Sequence, residues 1–434
     1  MKTFKIHTFG CQMNEHDSEK IAFLLRERGL VPGQEGRPDL FIINSCAVRE
    51  KSVQKLYALL GRTRDWAAKG TVVGVVGCVA QLEREKLIRH FPHLRFVVGP
   101  GSYPSLESLL ERILKGERVV AARWEGKWWE TGGALRQKPA VAYINIMEGC
   151  DKFCTYCVVP FTRGRERYRP LPWILDEVKR AVDQGYREIQ LLGQNVDSWR
   201  WEEYRFWHLL DEVRKVPGLK WLRFITSHPR DFTREIAEVM AEGEPITPYV
   251  HLPLQAGSDK ILRLMKRGYT REEFVEKVAM IRERVPNSSI GTDIIVGFPY
   301  EEEEDFQRTL EVVRWAEFDN MYSFHYSPRP FSYAGRNLPD NVPREIKRRR
   351  LLELQALQAE IQRRKNASFV GKTVEVLATG RSARDPEAFM GRDLTYRVVN
   401  FQCRRDPLGR ILQVEIEEAG PHSLKGKVVH EPSR

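Results

Sequence analysis

Cys150, Cys154 and Cys157 stand in a C-x3-C-x2-C run. Three thiolates this close can each take one iron of a cubane cluster, leaving the fourth iron open to a small molecule. Tetrahedral zinc would need a fourth Cys or His nearby, and the surrounding residues supply none. A second set, Cys11, Cys46 and Cys78, is spread over the first part of the chain, each following a run that reads as a strand. If those strands are parallel neighbours, the thiols meet at the carboxyl edge of one sheet and can hold a second three-ligand [4Fe-4S] cluster. Inert core thiols are the competing reading, since cysteine is often buried. Cys403 has no partner and reads as an ordinary thiol.

The elements around these cysteines give them their positions. Strands are expected at Phe4–Phe9, Leu40–Asn44, Val72–Val76 and Phe96–Val98. Helices are expected at His16–Arg28 (ended by Gly29), up to Leu60, from Gln81 to about His90, and from about Ser105. Alternation at this spacing predicts a doubly wound parallel sheet. Residues 1–118 form this N-terminal domain and 119–138 a linker, whose Trp124, Trp128 and Trp129 are expected to pack between domains. A second βα series spans 139–366, with strands at Ala142–Met147, Glu188–Leu192, Trp221–Thr226, Tyr249–Leu252, Ile290–Val296 and Met321–Phe324. Six βα units fall short of a closed eight-unit barrel and predict an open (βα)6 barrel. Its polar loops, including the Cys150–Cys157 run, all follow strands, where barrel chemistry resides. The charged stretch Pro343–Asn366 reads as a trailing helix. Residues 367–434 read as a small β barrel of the kind that holds oligonucleotides, with strands at Thr373–Leu377, Tyr396–Phe401, Ile411–Ile416 and Lys425–Val429.

Composition agrees with an α/β multidomain protein. The 434 residues are 42% hydrophobic and 30% charged, and mean hydropathy is −0.46. No apolar run is long enough to span a bilayer, and the opening MKTFKIHTFG lacks the apolar core of a signal peptide, so a cytoplasmic protein with no membrane association is expected. The net charge of +11 favours a polyanionic partner. Seven cysteines, an odd number, argue for metal binding or catalysis over a disulfide framework.

The motifs TFGCQMNE (Thr8–Glu15), NSCAVR (Asn44–Arg49), Gly77-Cys78, EGC (Glu148–Cys150), VVP (Val158–Pro160), TRG (Thr162–Gly164), LGQN (Leu192–Asn195), HLPLQ (His251–Gln255) and DIIVGFP (Asp293–Pro299) run along nearly the whole chain. Together they resemble the methylthiotransferases of the radical S-adenosylmethionine (SAM) superfamily, and the last domain resembles the RNA-binding TRAM domain. Gln12-Met13-Asn14 after the first cysteine is most similar to the MiaB-like tRNA branch. The ribosomal-protein branch usually has Pro-Lys-Asn there, and the threonylcarbamoyl-adenosine branch Lys-Val-Asn.

The resemblance implies that SAM chelates the open iron of the Cys150/Cys154/Cys157 cluster. It is then cleaved to a 5′-deoxyadenosyl radical that removes hydrogen from C2 of N6-isopentenyladenosine beside the anticodon, at position 37 of tRNA. The cluster at Cys11, Cys46 and Cys78 supplies sulfur, which is methylated by a second SAM. By the same resemblance, Gly193, Gln194, Asn195 and Asp293 lie near SAM, and Gln255 and His251 line the cavity. An electron donor such as flavodoxin or ferredoxin and a sulfur source are implied as partners, with the enzyme a monomer. Arg163, Arg165, Arg167 and Arg169 are expected to contact tRNA phosphates, and Glu301–Glu304 to offset a helix dipole. The chain departs from the family pattern at Tyr300, where Gly is common, and at Tyr396, where Asn is usual. The alternatives are the other two branches and, outside enzymes, an RNA-binding protein with structural iron–sulfur clusters.

Overall fold

The computed structural model describes residues 1–33, 36–383 and 385–430; positions 34, 35, 384 and 431–434 of the expected domains lie outside them. The chain divides into two compact units.

The first unit comprises residues 1–137, 147–153 and 157–169. Its six-stranded sheet runs, in spatial order, Val31–Pro32, Thr3–Phe9, Leu40–Ser45, Val72–Val76, Phe96–Val98 and Val119–Ala121, with every pair parallel. Leu40–Ser45 is buried at all six positions, as a central parallel strand covered on both faces must be. The chain leaves the first strand to one side and returns to build the rest on the other. The switch point therefore falls between Thr3–Phe9 and Leu40–Ser45, the crevice where open α/β sheets bind ligands.

Four expectations are corrected in this unit. The first helix spans Gln12–Glu27, four residues earlier at its start than its apolar pattern indicates, because Asn14, Asp17, Ser18, Glu19 and Lys20 are polar yet buried. The segment expected as one helix from Gln81 is two, Cys78–Glu83 and Glu85–His90, broken at Arg84 with φ +48°. Val119–Ala121 belongs to the sheet rather than to a linker. Trp129 packs within the N-terminal core, its ring 4.7 Å from Tyr103, rather than between domains.

In the second unit, strands Val141–Asn145, Glu188–Leu192 and Trp221–Phe224 form one parallel trio. Tyr249–His251, Ser289–Val296 and Asn320–His325 form another. A parallel bridge from Leu222 to Ile246 joins them into the expected open six-strand array. Its surrounding helices include Leu171–Asp183, Arg234–Ala241 and Arg271–Arg284, the last opened by a capping box between Thr270 and Glu273.

The 24-residue helix Arg344–Ala367 packs on the last strand rather than standing in solvent. Gln358 donates to the Phe318 carbonyl at 2.7 Å and Gln355 to Ser323 at 3.1 Å. The closed five-stranded barrel that follows adds Phe389–Asp393 to the four expected strands. It is fastened to the βα barrel by Arg223, which is buried, pairs with Glu188 at 3.0 Å and donates to the carbonyls of Asp393 and Leu394 at 2.6 and 2.9 Å. Among the described residues no helix is long and apolar enough to cross a membrane.

Candidate functional site

Cys11, Cys46 and Cys78 follow three adjacent parallel strands of the N-terminal sheet. Cys11 caps the helix Gln12–Glu27, Cys46 follows Leu40–Ser45 directly, and Cys78 opens the helix Cys78–Glu83. The switch point lies between the first two. Cys46 is fixed by its N–H donating to the Phe9 carbonyl at 2.8 Å, and its sulfur accepts from the Val48 N–H at 3.3 Å. Beneath them Asn14 and Asn44 are mutually bonded: the Asn14 amide donates to Asn44 Oδ1, and Asn44 Nδ2 to the Asn14 carbonyl, both at 2.9 Å. Gly77, at φ +91°, leaves room for this knot, since a Cβ there would lie 2.2 Å from Asn44 Oδ1.

The thiols interact. The neighbouring Cys46 thiol, together with the Arg163 charge, brings the Cys11 pKa down to about 6. Contact with Cys11 and burial push Cys46 well up, and burial pushes Cys78 up. Among the described residues no three His, Cys, Asp or Glu side chains gather tightly enough for a single metal ion. A cubane asks for something else, one thiolate on each of three irons. Three thiols at one sheet edge, two buried and Cys11 exposed, with an arginine beside them, fit that group.

The second trio lies on the loop after the first strand of the βα barrel. Cys150 and Cys157 belong to the first unit and Cys154 to the second. The Cys150 N–H donates to the Gly164 carbonyl at 3.1 Å, and Gly149 sits at φ +81° where a Cβ would meet the Arg165 carbonyl at 2.1 Å. The Cys157 sulfur accepts from the Val159 N–H at 3.4 Å. Cys154 accepts from the guanidinium of Arg267 at 3.3 Å, and Arg267 is itself buried and held by the Pro253 carbonyl and the Tyr269 hydroxyl. Sequence reasoning missed Arg267, because a contact across 113 positions leaves no local pattern.

The four alternating arginines after this loop are not a free phosphate-binding run. Arg163 pairs with Asp17 at 2.5 Å, and Arg165 with Asp151, Arg167 with Glu148 and Arg169 with Glu130, each at 2.7 Å. Arg163 and Arg169 are buried; only Arg165 is largely exposed.

On the barrel strands, His251 Nε2 lies 3.2 Å from Asp293 Oδ2, while its Nδ1 meets the Tyr249 hydroxyl at 3.2 Å. Gln255, at φ +70°, donates its N–H to the Asp293 carbonyl at 2.8 Å. In the Gly193-Gln194-Asn195 turn, Asn195 is buried and its amide donates to Asp231 at 2.6 Å.

Glu301 does not serve the following helix dipole. It is buried, accepts from the Gly297 N–H at 2.7 Å and from Arg350 at 2.9 Å, and burial pushes its carboxyl up to about 7. Glu302 and Asp305 form the capping box that opens the helix Glu303–Ala316. Tyr300 and Tyr396 both have positive φ, +65° and +71°. Gly and Asn, the residues common at these positions in the family pattern, tolerate that region best. Tyr396 is buried against Tyr249 rather than presented to RNA.

Comparison with known proteins accords with this geometry. Residues 3–99 match the uncharacterized protein family UPF0004, 144–313 the Radical SAM superfamily and 367–429 the TRAM domain. The chain is 42% identical to the tRNA-2-methylthio-N(6)-dimethylallyladenosine synthase of Carboxydothermus hydrogenoformans, covering 99% of each sequence. It is 43% identical to that of Chlorobium phaeobacteroides, covering 98% of this chain and 96% of the relative. Among solved structures, the radical SAM methyltransferase TsrM of Kitasatospora setae shares the fold at a TM-score of 0.57 with 16% identity, over 77% of each chain. The chain belongs to the radical SAM family whose curated members are named tRNA-2-methylthio-N(6)-dimethylallyladenosine synthases.

Proposed function

We propose that this chain installs a methylthio group on C2 of N6-dimethylallyladenosine (isopentenyladenosine) at position 37 of tRNA. The observation that carries the reading is the second cysteine set at the switch point, a thiol site that radical generation alone would not require. The C2–H bond of adenine is strong and not acidic, so side-chain acid–base chemistry has no purchase on it. An iron–sulfur cluster and SAM supply one-electron cleavage of the sulfonium and hence a radical able to take that hydrogen. Cys150, Cys154 and Cys157 hold this cluster, and Cys11, Cys46 and Cys78 hold the second. Gly193, Gln194, Asn195 and Asp293 line the SAM site, with Asp293 oriented by His251. The small barrel contacts tRNA phosphates. An external electron donor, a sulfur source and a cytoplasmic setting complete the reading.

The test is anaerobic incubation of the reconstituted protein with SAM, a reductant and isopentenylated tRNA, followed by nucleoside analysis. Appearance of the 2-methylthio nucleoside is the expected result. SAM cleavage without any change in tRNA, and with methylthio label on a ribosomal protein, would overturn it. Binding to tRNA should weaken steeply as salt rises, since phosphate neutralisation releases counterions.

A further inference from the structure

Arg163 caps the short helix Val159–Thr162, which follows the Cys150–Cys157 loop in the chain. It folds within the first unit, where its side chain is 3% exposed and that of its partner Asp17 is 1% exposed. The pair is bidentate, with Nη2 to Oδ2 at 2.5 Å and Nη1 to Oδ1 at 3.3 Å. Asp17 stands on the helix capped by Cys11, and the helix opened by Cys78 packs against Val159–Thr162. The ion pair therefore ties the helix that begins after Cys11 to the end of the short helix packed against the one that begins at Cys78. The guanidinium lies within hydrogen-bonding reach of the Cys78 thiol, and its charge also reaches that of Cys11. Two other charged groups act there. Glu148 is neutralised by Arg167, and the Lys20 ammonium is directed to the Trp129 carbonyl and ring.

A buried ion pair gains little stability over apolar packing once desolvation is counted. Its position beside two thiols is what requires explanation. We propose that Arg163, oriented by Asp17, is a positioning residue for the cluster held by Cys11, Cys46 and Cys78, its cation offsetting the charge of the thiolate ligands and raising the reduction potential of that cluster. The inference rests on the reading of those cysteines given above. Cluster potentials follow net charge and hydrogen bonding at the sulfurs, and groups outside the ligand set tune both. A guanidinium held by two parallel hydrogen bonds presents its charge beside the thiols in a fixed orientation.

The experiment uses full-length protein carrying Cys150→Ala, Cys154→Ala and Cys157→Ala, so that only the second cluster is loaded, and follows a potentiometric titration by electron paramagnetic resonance. Arg163→Gln should move the midpoint to a more negative potential, because reduction loses a nearby cation. Asp17→Asn should move it the opposite way, because the cation stays and an anion is lost. Opposed shifts with iron content retained support the proposal, since general loosening of the site would not change sign between the two. Unmoved potentials, or shifts of the same sign, overturn it. Should Arg163→Gln lose its iron, Arg163→Lys decides. Restored iron supports a role for the charge, and equal loss overturns it. A background variant that binds no iron at all would instead refute the cluster assignment to Cys11, Cys46 and Cys78.

Discussion

Tyr396 of the small barrel stacks on Tyr249 of the βα barrel, ring centroids 4.6 Å apart and planes 23° from parallel. Arg223 and Arg392 lie over the same ring at 5.1 and 4.0 Å. Tyr396 holds φ +71°, a conformation that costs a non-glycine residue about 1–2 kcal/mol. Burying the side chain returns roughly 1.5–3 kcal/mol, and the aromatic pair about 0.5–1.5 more. The stack outweighs the strain. Tyr396→Asn, although better suited to the backbone, should therefore lower the melting temperature, and Tyr396→Ala should lower it further. A higher melting temperature for the Asn variant would show that strain dominates.

Tyr300 makes the opposite case. It has φ +65° but is exposed, so little packing is lost when it is replaced. Tyr300→Gly relieves about 1–2 kcal/mol of strain and gives back about 0.5–1 kcal/mol of unfolded-state entropy. A small net stabilisation, of order 1 kcal/mol or less, should appear as a shifted denaturation midpoint with unchanged slope.

Glu301 supplies a pH signature. Burial raises its carboxyl from 4.5 to about 7 despite Arg350 and the Gly297 N–H, with Asp305 adding to the rise. Between those values the folded state binds the proton more tightly than the unfolded chain, so this residue's contribution is full below about pH 4.5 and is lost as pH rises through about 7. The whole change is about 3 kcal/mol at most. Glu301→Gln should remove this component. Denaturation of both proteins at pH 5 and pH 8 should show the wild type losing more stability across that interval than the variant. Parallel pH dependences would mean that Arg350 keeps the carboxylate ionised throughout.

The two cysteine sets should separate by mutation. Cys150→Ala, Cys154→Ala or Cys157→Ala should abolish reductive cleavage of SAM while iron remains at the other site. Cys11→Ala, Cys46→Ala or Cys78→Ala should leave cleavage intact and stop methylthio product. Cys403 packs against the core of the small barrel, and Cys403→Ser should keep all the iron. Full product from any of the first six variants contradicts the ligand assignment.

What the sequence made legible follows the range of the forces involved. Val72–Val76 is a run of β-branched residues and Gly, and its bounds can be read directly. So can the placement of Cys11, Cys46 and Cys78 after strands, which topology alone turns into proximity. The helix start at Gln12 stays hidden because buried polar residues carry no apolar period, their partners being Asn44 and the Trp129 carbonyl far along the chain. Val31–Pro32 and Val119–Ala121 are too short to rise above their surroundings, and Phe389–Asp393 carries Gly391 in its middle, where a Cβ would meet the Leu377 carbonyl at 2.3 Å. Ion pairs leave no mark at all: Arg163 and Asp17 are 146 positions apart, and four alternating arginines look the same on a solvated loop as in a set of internal salt bridges.

Substrate choice supplies the last test. An anticodon-loop adenine can leave its stack at modest cost and enter a protein site. In the proposed reaction the N6 dimethylallyl chain enters with it, and a site that buries an apolar chain gains about 0.8 kcal/mol for each CH₂-sized group. Four such groups amount to about 3 kcal/mol, more than a hundredfold in specificity. Unmodified adenosine at the same position leaves that space unfilled and the base poorly held over the radical. Single-turnover assays on matched tRNAs with and without the dimethylallyl group should therefore differ by roughly two orders of magnitude. Equal rates would show that the chain is not what the site recognises, and would direct attention to the anticodon loop and its phosphates instead.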